Sequence, residues 1–146
     1  MAVVLIVDDE EQLRILAETI IQELGHATLT AASAEEALAL IEARPDIGVL
    51  FTDIGLQPDG EGGLELARRV LARRPALPIL YTTGQGVTEA MRAVFAEPFG
   101  FLPKPYAPAA LKAALGNLLS GLAAPLPAEP VKSAEQAGRG ERGVAQ

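Results

Sequence analysis

A chain of 146 residues with a 49% apolar share is the size of one ordinary domain with residues to spare, and that share argues against whole-chain disorder. A formal net charge of -7 with no run of Lys or Arg argues against a nucleic-acid surface, and the absence of Cys excludes disulfides and Cys-ligated metals. The apolar start, Met1 to Val7, is too short for a signal-peptide core and meets acids at once, and no other run approaches a membrane span, so a cytoplasmic protein is expected.

Val3 to Val7 reads as a strand, and the helix after it begins around Glu10. Leu13, Leu16, Ile20 and Leu24 recur at helical spacing with Ala17 and Ile21 beside them, and Gly25 stands where a left-handed cap ends a helix. His26 to Ala31 is a shorter, less apolar strand suited to a sheet edge. Ser33-Ala34-Glu35-Glu36 is a capping box that opens a helix with Ala37, Leu38 and Ile41 inward, stopping before Pro45. A third strand runs from Gly48 into Asp53. Leu64 to Arg74 is helical, Pro75 and Pro78 punctuate, and Ile79 to Thr83 is a fourth strand. Thr88 caps a short helix holding Met91, Val94 and Phe95, which Pro98 and Gly100 end. Gly100 to Pro103 is a fifth strand, and Pro108 opens a last helix with the stripe Leu111, Leu115, Leu118, Leu119 and Leu122.

Five strands alternating with five helices predict an α/β fold with a doubly wound, five-stranded parallel sheet. From Pro125 the periodicity ends, so residues 1–122 are expected to form one domain and 123–146 a disordered tail. Glu129, Glu135 and Glu141 cancel Lys132, Arg139 and Arg142 there, which leaves the acidity of the chain to the folded part.

The strand ends carry the chemistry. The first strand runs into Asp8-Asp9-Glu10, the third into Asp53, the fourth into Thr82-Thr83-Gly84 and the fifth into Lys104-Pro105. In an open parallel sheet the carboxyl edge is where ligands bind. Clustered carboxylates repel and would hold protons unless a positive charge sits among them. A divalent cation resolves this, and an all-oxygen ligand set with room for water suits Mg2+. Asp9 and Asp53 are the direct ligands in this reading, Asp8 lies nearby or acts through water, and the Gly55 backbone carbonyl adds an oxygen. With Mg2+ bound, Asp53 can act as a nucleophile toward a phosphoryl group and become an acyl phosphate. Such transfer is mostly positioning and charge neutralisation, roles that the Lys104 ammonium and the Thr83 hydroxyl fill.

This set resembles the receiver domain of two-component response regulators, of the single-domain, chemotaxis-regulator-like type, from Met1 to about Leu122. The resemblance implies a flavodoxin-like (βα)5 fold with strand order 2-1-3-4-5. It makes Asp8 and Asp9 the acidic pair, Asp53 the phosphoacceptor, Thr83-Gly84 the hydroxyl and its small neighbour, and Lys104-Pro105 the Lys-Pro pair, whose bond is usually cis. Thr82 is the rival hydroxyl, and Phe101 matches the aromatic switch position. The implied function is a stand-alone receiver phosphorylated by a histidine kinase or His phosphotransfer protein, with Mg2+ as cofactor. It would signal by contact with a downstream protein, with neither nucleic acid nor membrane as partner. Its output face would be the predicted fourth helix, fifth strand and fifth helix, a face also available for homodimer formation. Enzymatic activity would be limited to self-phosphorylation from small donors and self-dephosphorylation. Two departures stand out. Gln57 occupies the position four after Asp53 where the family commonly has Pro, and Pro58 follows. The span from Asp53 to Leu64 is one residue longer than usual, with Gly60, Gly62 and Gly63 read as a pliable loop. Gly55 and Gln85 occupy positions that modulate acyl-phosphate lifetime in the family.

Each residue also has a plainer reading. Asp8 to Glu11 alone would be a solvated acidic helix start, Lys104 a surface lysine, Thr83 a strand-end cap, Phe101 a core aromatic and His26 a solvated turn residue. Tyr106 and Met91 are candidates for a partner face. The competing functions are a phosphatase of the haloacid-dehalogenase type and an unphosphorylated adaptor. The phosphatases carry a second Asp two residues after the nucleophile, where this chain has Gly55. Adaptors usually lose the Asp or the Lys, and both are present here. No Gly-rich phosphate loop follows the first strand, which argues against nucleotide binding.

Overall fold

The computed structural model describes residues 2–56, 62–84 and 99–120. The strands are β1 (Val3–Val7), β2 (Ala27–Ala31), β3 (Val49–Asp53), β4 (Ile79–Thr83) and β5 (Phe99–Pro103). The helices are α1 (Glu11–Glu23), α2 (Ala34–Ala43), α3 (Gly62–Arg73) and α4 (Pro108–Leu119). The helix expected from Thr88, together with Gln57, Pro58, Gln85, Met91, Leu122 and the tail, lies outside the described residues, so α4 is the helix counted fifth along the sequence.

All strand pairs are parallel, and the order is β2-β1-β3-β4-β5, as the resemblance implies. The sheet is covered on both faces, which is why β3 and β4 open on apolar runs and are buried at every position. Alternate residues serve opposite layers. Leu5, Leu50, Ile79 and Tyr81 pack with Ala37 and Ile41 of α2 and Leu66 and Val70 of α3. Val4, Ile6, Phe51, Leu80 and Leu102 pack with Ala17, Ile20 and Ile21 of α1 and Leu111 and Leu115 of α4. β2 lies at an edge, in keeping with its thinner apolar content.

The local signals act as chemistry requires. Gly25 has φ 95°, a conformation that costs glycine little. The Ser33 side chain accepts the Glu36 N–H at 3.2 Å, and the Glu36 carboxylate reaches one residue past the cap to take the Ala32 N–H at 2.7 Å. His26 is not merely solvated: its Nδ1 accepts the Ala2 N–H at 3.0 Å and ties down the approach to β1.

Three expectations need correction. The buried side of α1 is Ala17, Ile20 and Ile21, while Leu16 is 42% exposed and Ile15 51% exposed. Leu119 falls off the α4 stripe and is exposed, whereas Ala114 takes a place in it. Helix α3 starts at Gly62 rather than Leu64, so Gly62 and Gly63 form its first turn instead of a pliable loop. No helix among the described residues is long and apolar enough to cross a membrane.

Candidate functional site

The register brings the ends of β1, β3, β4 and β5 to one edge. Val7 pairs with Thr52, Asp53 with Thr82, and Thr83 with Pro103. The ladders continue one step beyond the strands: Asp8 N–H donates to the Ala31 carbonyl, Ile54 N–H to that of Thr82, and Lys104 N–H to that of Thr83 at 2.9 Å. These bonds set the backbone from which the polar side chains project.

Lys104 Nζ lies 3.2 Å from Asp8 Oδ2 and 3.2 Å from Asp53 Oδ2, bridging the two carboxylates. Each carboxylate commits its other oxygen to a tight turn of its own chain. Asp8 Oδ1 accepts the Glu10 N–H at 2.9 Å, and Asp53 Oδ1 accepts the Gly55 N–H at 3.0 Å. Asp9 completes the cluster: one carboxylate oxygen from each of Asp8, Asp9 and Asp53 lies within 4.8 Å of the others. Asp8 and Asp53 are buried, whereas Asp9 is exposed. The site thus has a dry floor and a wet rim.

Burial pushes the Asp8 carboxyl above its ordinary range, against the Glu10 N–H and the Lys104 ammonium, which favour its charge. Burial also works against the charge of Lys104, yet the Asp53 and Asp8 carboxylates outweigh it and hold the ammonium above its usual value. The two shifts are compatible because Lys104 has two carboxylates to itself while Asp8 shares one ammonium with Asp53.

The two threonines are divided by the strand alternation. Thr82 Oγ1 donates to the Leu102 carbonyl at 2.6 Å across β5, which commits it to the sheet. Thr83 is buried at the strand end, and alternation places it on the face of Tyr81 and Phe101. Phe101 is 6% exposed and lies in the core layer under α2 and α3. The Lys104–Pro105 bond is cis. Gly55 is held in the turn over Asp53.

Three neighbours were not singled out from the sequence for the parts they play here. Arg14 reaches back from α1 to donate to the Asp8 carbonyl at 2.8 Å, holding the acidic turn. Gly63 approaches β3 so closely that a Cβ there would stand 2.0 Å from the Asp53 carbonyl oxygen. Tyr106 rests on Phe51 with ring centroids 6.1 Å apart, and burial together with the nearby Asp8 and Asp53 charges pushes its phenol up to about 12. The Gly63-Leu64 junction was the available signal for the close approach; the other two depend on tertiary proximity.

Residues 4–116 match the family model of the response regulator receiver domain. The chain is 36% identical over 104 residues to the nitrogen assimilation regulatory protein NtrX of Azorhizobium caulinodans, a match covering 70% of this chain and 23% of that protein. It is 34% identical over 105 residues to the C4-dicarboxylate transport transcriptional regulatory protein DctD of Rhizobium meliloti, covering 71% of this chain and 22% of that one. The chain therefore spans less than a quarter of the length of these curated relatives. Among solved structures, chemotaxis protein CheY4 of Vibrio cholerae superposes with a TM-score of 0.71 at 31% identity, covering 81% of this chain and 98% of that one. NtrX of Brucella abortus in complex with ADP superposes with a TM-score of 0.70 at 31% identity, covering 82% of this chain and 26% of that one. By sequence, strand order and fold, this chain belongs to the response regulator receiver domain family, the signalling switches of two-component systems.

Proposed function

We propose that the chain is a phosphorylation-controlled switch in which Asp53 accepts a phosphoryl group from a phosphohistidine of a histidine kinase or His phosphotransfer protein. The observation that carries this reading is the Lys104 ammonium seated between Asp8 and Asp53 at 3.2 Å from each, with Asp9 alongside. An isolated acidic helix start would not recruit a half-buried lysine from the end of β5.

The residues present fit a hard divalent cation. Three carboxylates with oxygens within 4.8 Å, one of them exposed for water, make an all-oxygen set suited to Mg2+. Asp8, Asp9, Asp53 and the Gly55 carbonyl are the groups that would hold it. Bound there, it would neutralise the carboxylates and a phosphoryl oxygen. Asp53 supplies the attacking oxygen and forms the O–P bond as the donor's bond to phosphorus breaks. Lys104 offsets the charge of the new phosphoryl group, and the Thr83 hydroxyl donates to it. Thr83 lies on the face of Phe101, so a movement of Thr83 toward the phosphoryl group would alter the space available to that ring, and β5 with α4 would present the change to a downstream protein. In this reading the output is by protein contact, and the β5 and α4 side also offers a surface for a second copy.

The test is the intact mass of the protein after incubation with acetyl phosphate, with and without Mg2+, beside Asp53→Asn. A single phosphoryl adduct that requires both Mg2+ and Asp53 is expected. A folded protein that takes up no phosphoryl group would leave the adaptor reading, and many turnovers of phosphate release would point to a phosphatase.

A further inference from the structure

Between β1 and α1 the chain turns through Asp8, Asp9 and Glu10, and Arg14 closes that turn from one helical turn downstream. The Asp8 N–H donates to the Ala31 carbonyl at 3.2 Å, Asp8 Oδ1 accepts the Glu10 N–H at 2.9 Å, and the Asp8 carbonyl accepts from Arg14 Nη1 at 2.8 Å. The Arg14 N–H also donates to the Glu10 carbonyl at 3.0 Å, so main chain and side chain of one half-buried residue both grip the turn. The Asp8 carbonyl and the Asp9 N–H belong to one planar peptide unit. A donor fixed on that carbonyl therefore fixes the plane from which the Asp9 side chain departs.

Asp8 and Asp53 are buried and share the Lys104 ammonium, whereas Asp9 is the exposed member of the cluster. An exposed carboxylate loses more freedom when it binds a cation, and that loss shrinks when its backbone is already set. By charge alone, a guanidinium beside three carboxylates competes with a cation for them. This one spends a 2.8 Å bond on a neutral carbonyl. We propose that Arg14 is a positioning residue for the divalent cation: by holding the Asp8–Asp9 peptide it presets the Asp9 carboxylate beside those of Asp8 and Asp53, and this gain outweighs its repulsion of the ion. The inference rests on the reading that Asp8, Asp9 and Asp53 hold Mg2+. Arg14 acts through the peptide and is not itself a ligand.

The experiment titrates Mg2+ alone into the isotope-labelled full chain and follows the Glu10 and Gly55 amide resonances, whose N–H groups donate to the Asp8 and Asp53 carboxylates. Arg14→Met, which keeps an apolar stem and removes both charge and donor, is expected to weaken Mg2+ binding about tenfold. Arg14→Gln, expected to weaken it about fivefold, keeps the test decisive should Arg14→Met fail to fold. Arg14→Lys is expected to stay within about threefold of the parent, because a single bond to a carbonyl is one an ammonium can also make. A merely structural role would lower the urea midpoint in EDTA and leave the Mg2+ affinity of the folded protein alone, while a pure charge effect would tighten binding. Unchanged or tighter Mg2+ binding in the folded neutral variants therefore overturns the inference. A parent with no saturable response to Mg2+ overturns the metal-site reading itself, and the inference with it.

Discussion

Lys104 carries the electrostatics of the site. Its side chain is 15% exposed and stands between two carboxylates that are themselves nearly buried. Without it, Asp8 and Asp53 would lose the ammonium that pairs with both of them. Lys104→Ala measured with EDTA present is expected to lose about 1–3 kcal/mol of stability, the range for stranding a partly buried charge. Added Mg2+ should recover part of that loss. A urea midpoint equal to the parent's would show that Lys104 does not neutralise the pair. That Asp8, Asp9, Asp53 and Lys104 come together was legible in the sequence because each ends an apolar run, and a parallel sheet gathers such ends. The parts played by Arg14 and Tyr106 were not, since a guanidinium meeting the Asp8 carbonyl and a ring meeting Phe51 are products of packing.

At the level of elements, the junction of β3 with α3 decides how rigidly Asp53 is held. Gly63 N–H donates to the Ile54 carbonyl at 3.0 Å, and Gly62 N–H donates to that of Leu56 at 3.0 Å. The first turn of α3 is thus stitched to the segment immediately after Asp53. A Cβ at residue 63 would stand 2.0 Å from the Asp53 carbonyl oxygen and 2.6 Å from Ile54 Cα, both backbone atoms. Gly63→Ala must therefore push the helix and the strand end apart. A loss of about 1–3 kcal/mol is expected from this overpacking, read as a lower urea midpoint, with slower uptake of phosphoryl groups on Asp53. A variant with the parent's midpoint would show that the junction gives way freely. The glycine cluster was visible in the sequence as a loop signal, but glycine serves both pliability and close approach, and only the distance to Asp53 tells which.

At the scale of the whole molecule, the two layers of core on either side of the sheet contain both tyrosines of the chain. Burial raises the Tyr81 phenol far above its ordinary 10.0, and burial with the Asp8 and Asp53 charges raises Tyr106 to about 12. The folded state therefore favours the protonated phenols. Above pH 10 the unfolded chain releases these protons while the native one keeps them, so stability is intact below pH 10 and falls as pH rises through the native values. Phenolate absorbance of the native protein should be nearly absent at pH 10 and climb only as the fold is lost. Titration of either tyrosine with the ordinary midpoint would show that its ring is open to water in solution.

The sequence by itself determined the alternation of strands and helices, the two-sided burial of β3 and β4, and the polar residues that close the apolar runs. Period and turn chemistry are local, and they are written residue by residue. The tertiary structure decided the rest: that Lys104 sits between Asp8 and Asp53, that Thr82 is spent on the Leu102 carbonyl while Thr83 lies on the other face, and that α1 leaves Leu13 and Leu16 to wall a cavity. Those outcomes depend on register and on the docking of helices against the sheet, in which residues nearly 100 positions apart come within hydrogen-bond distance.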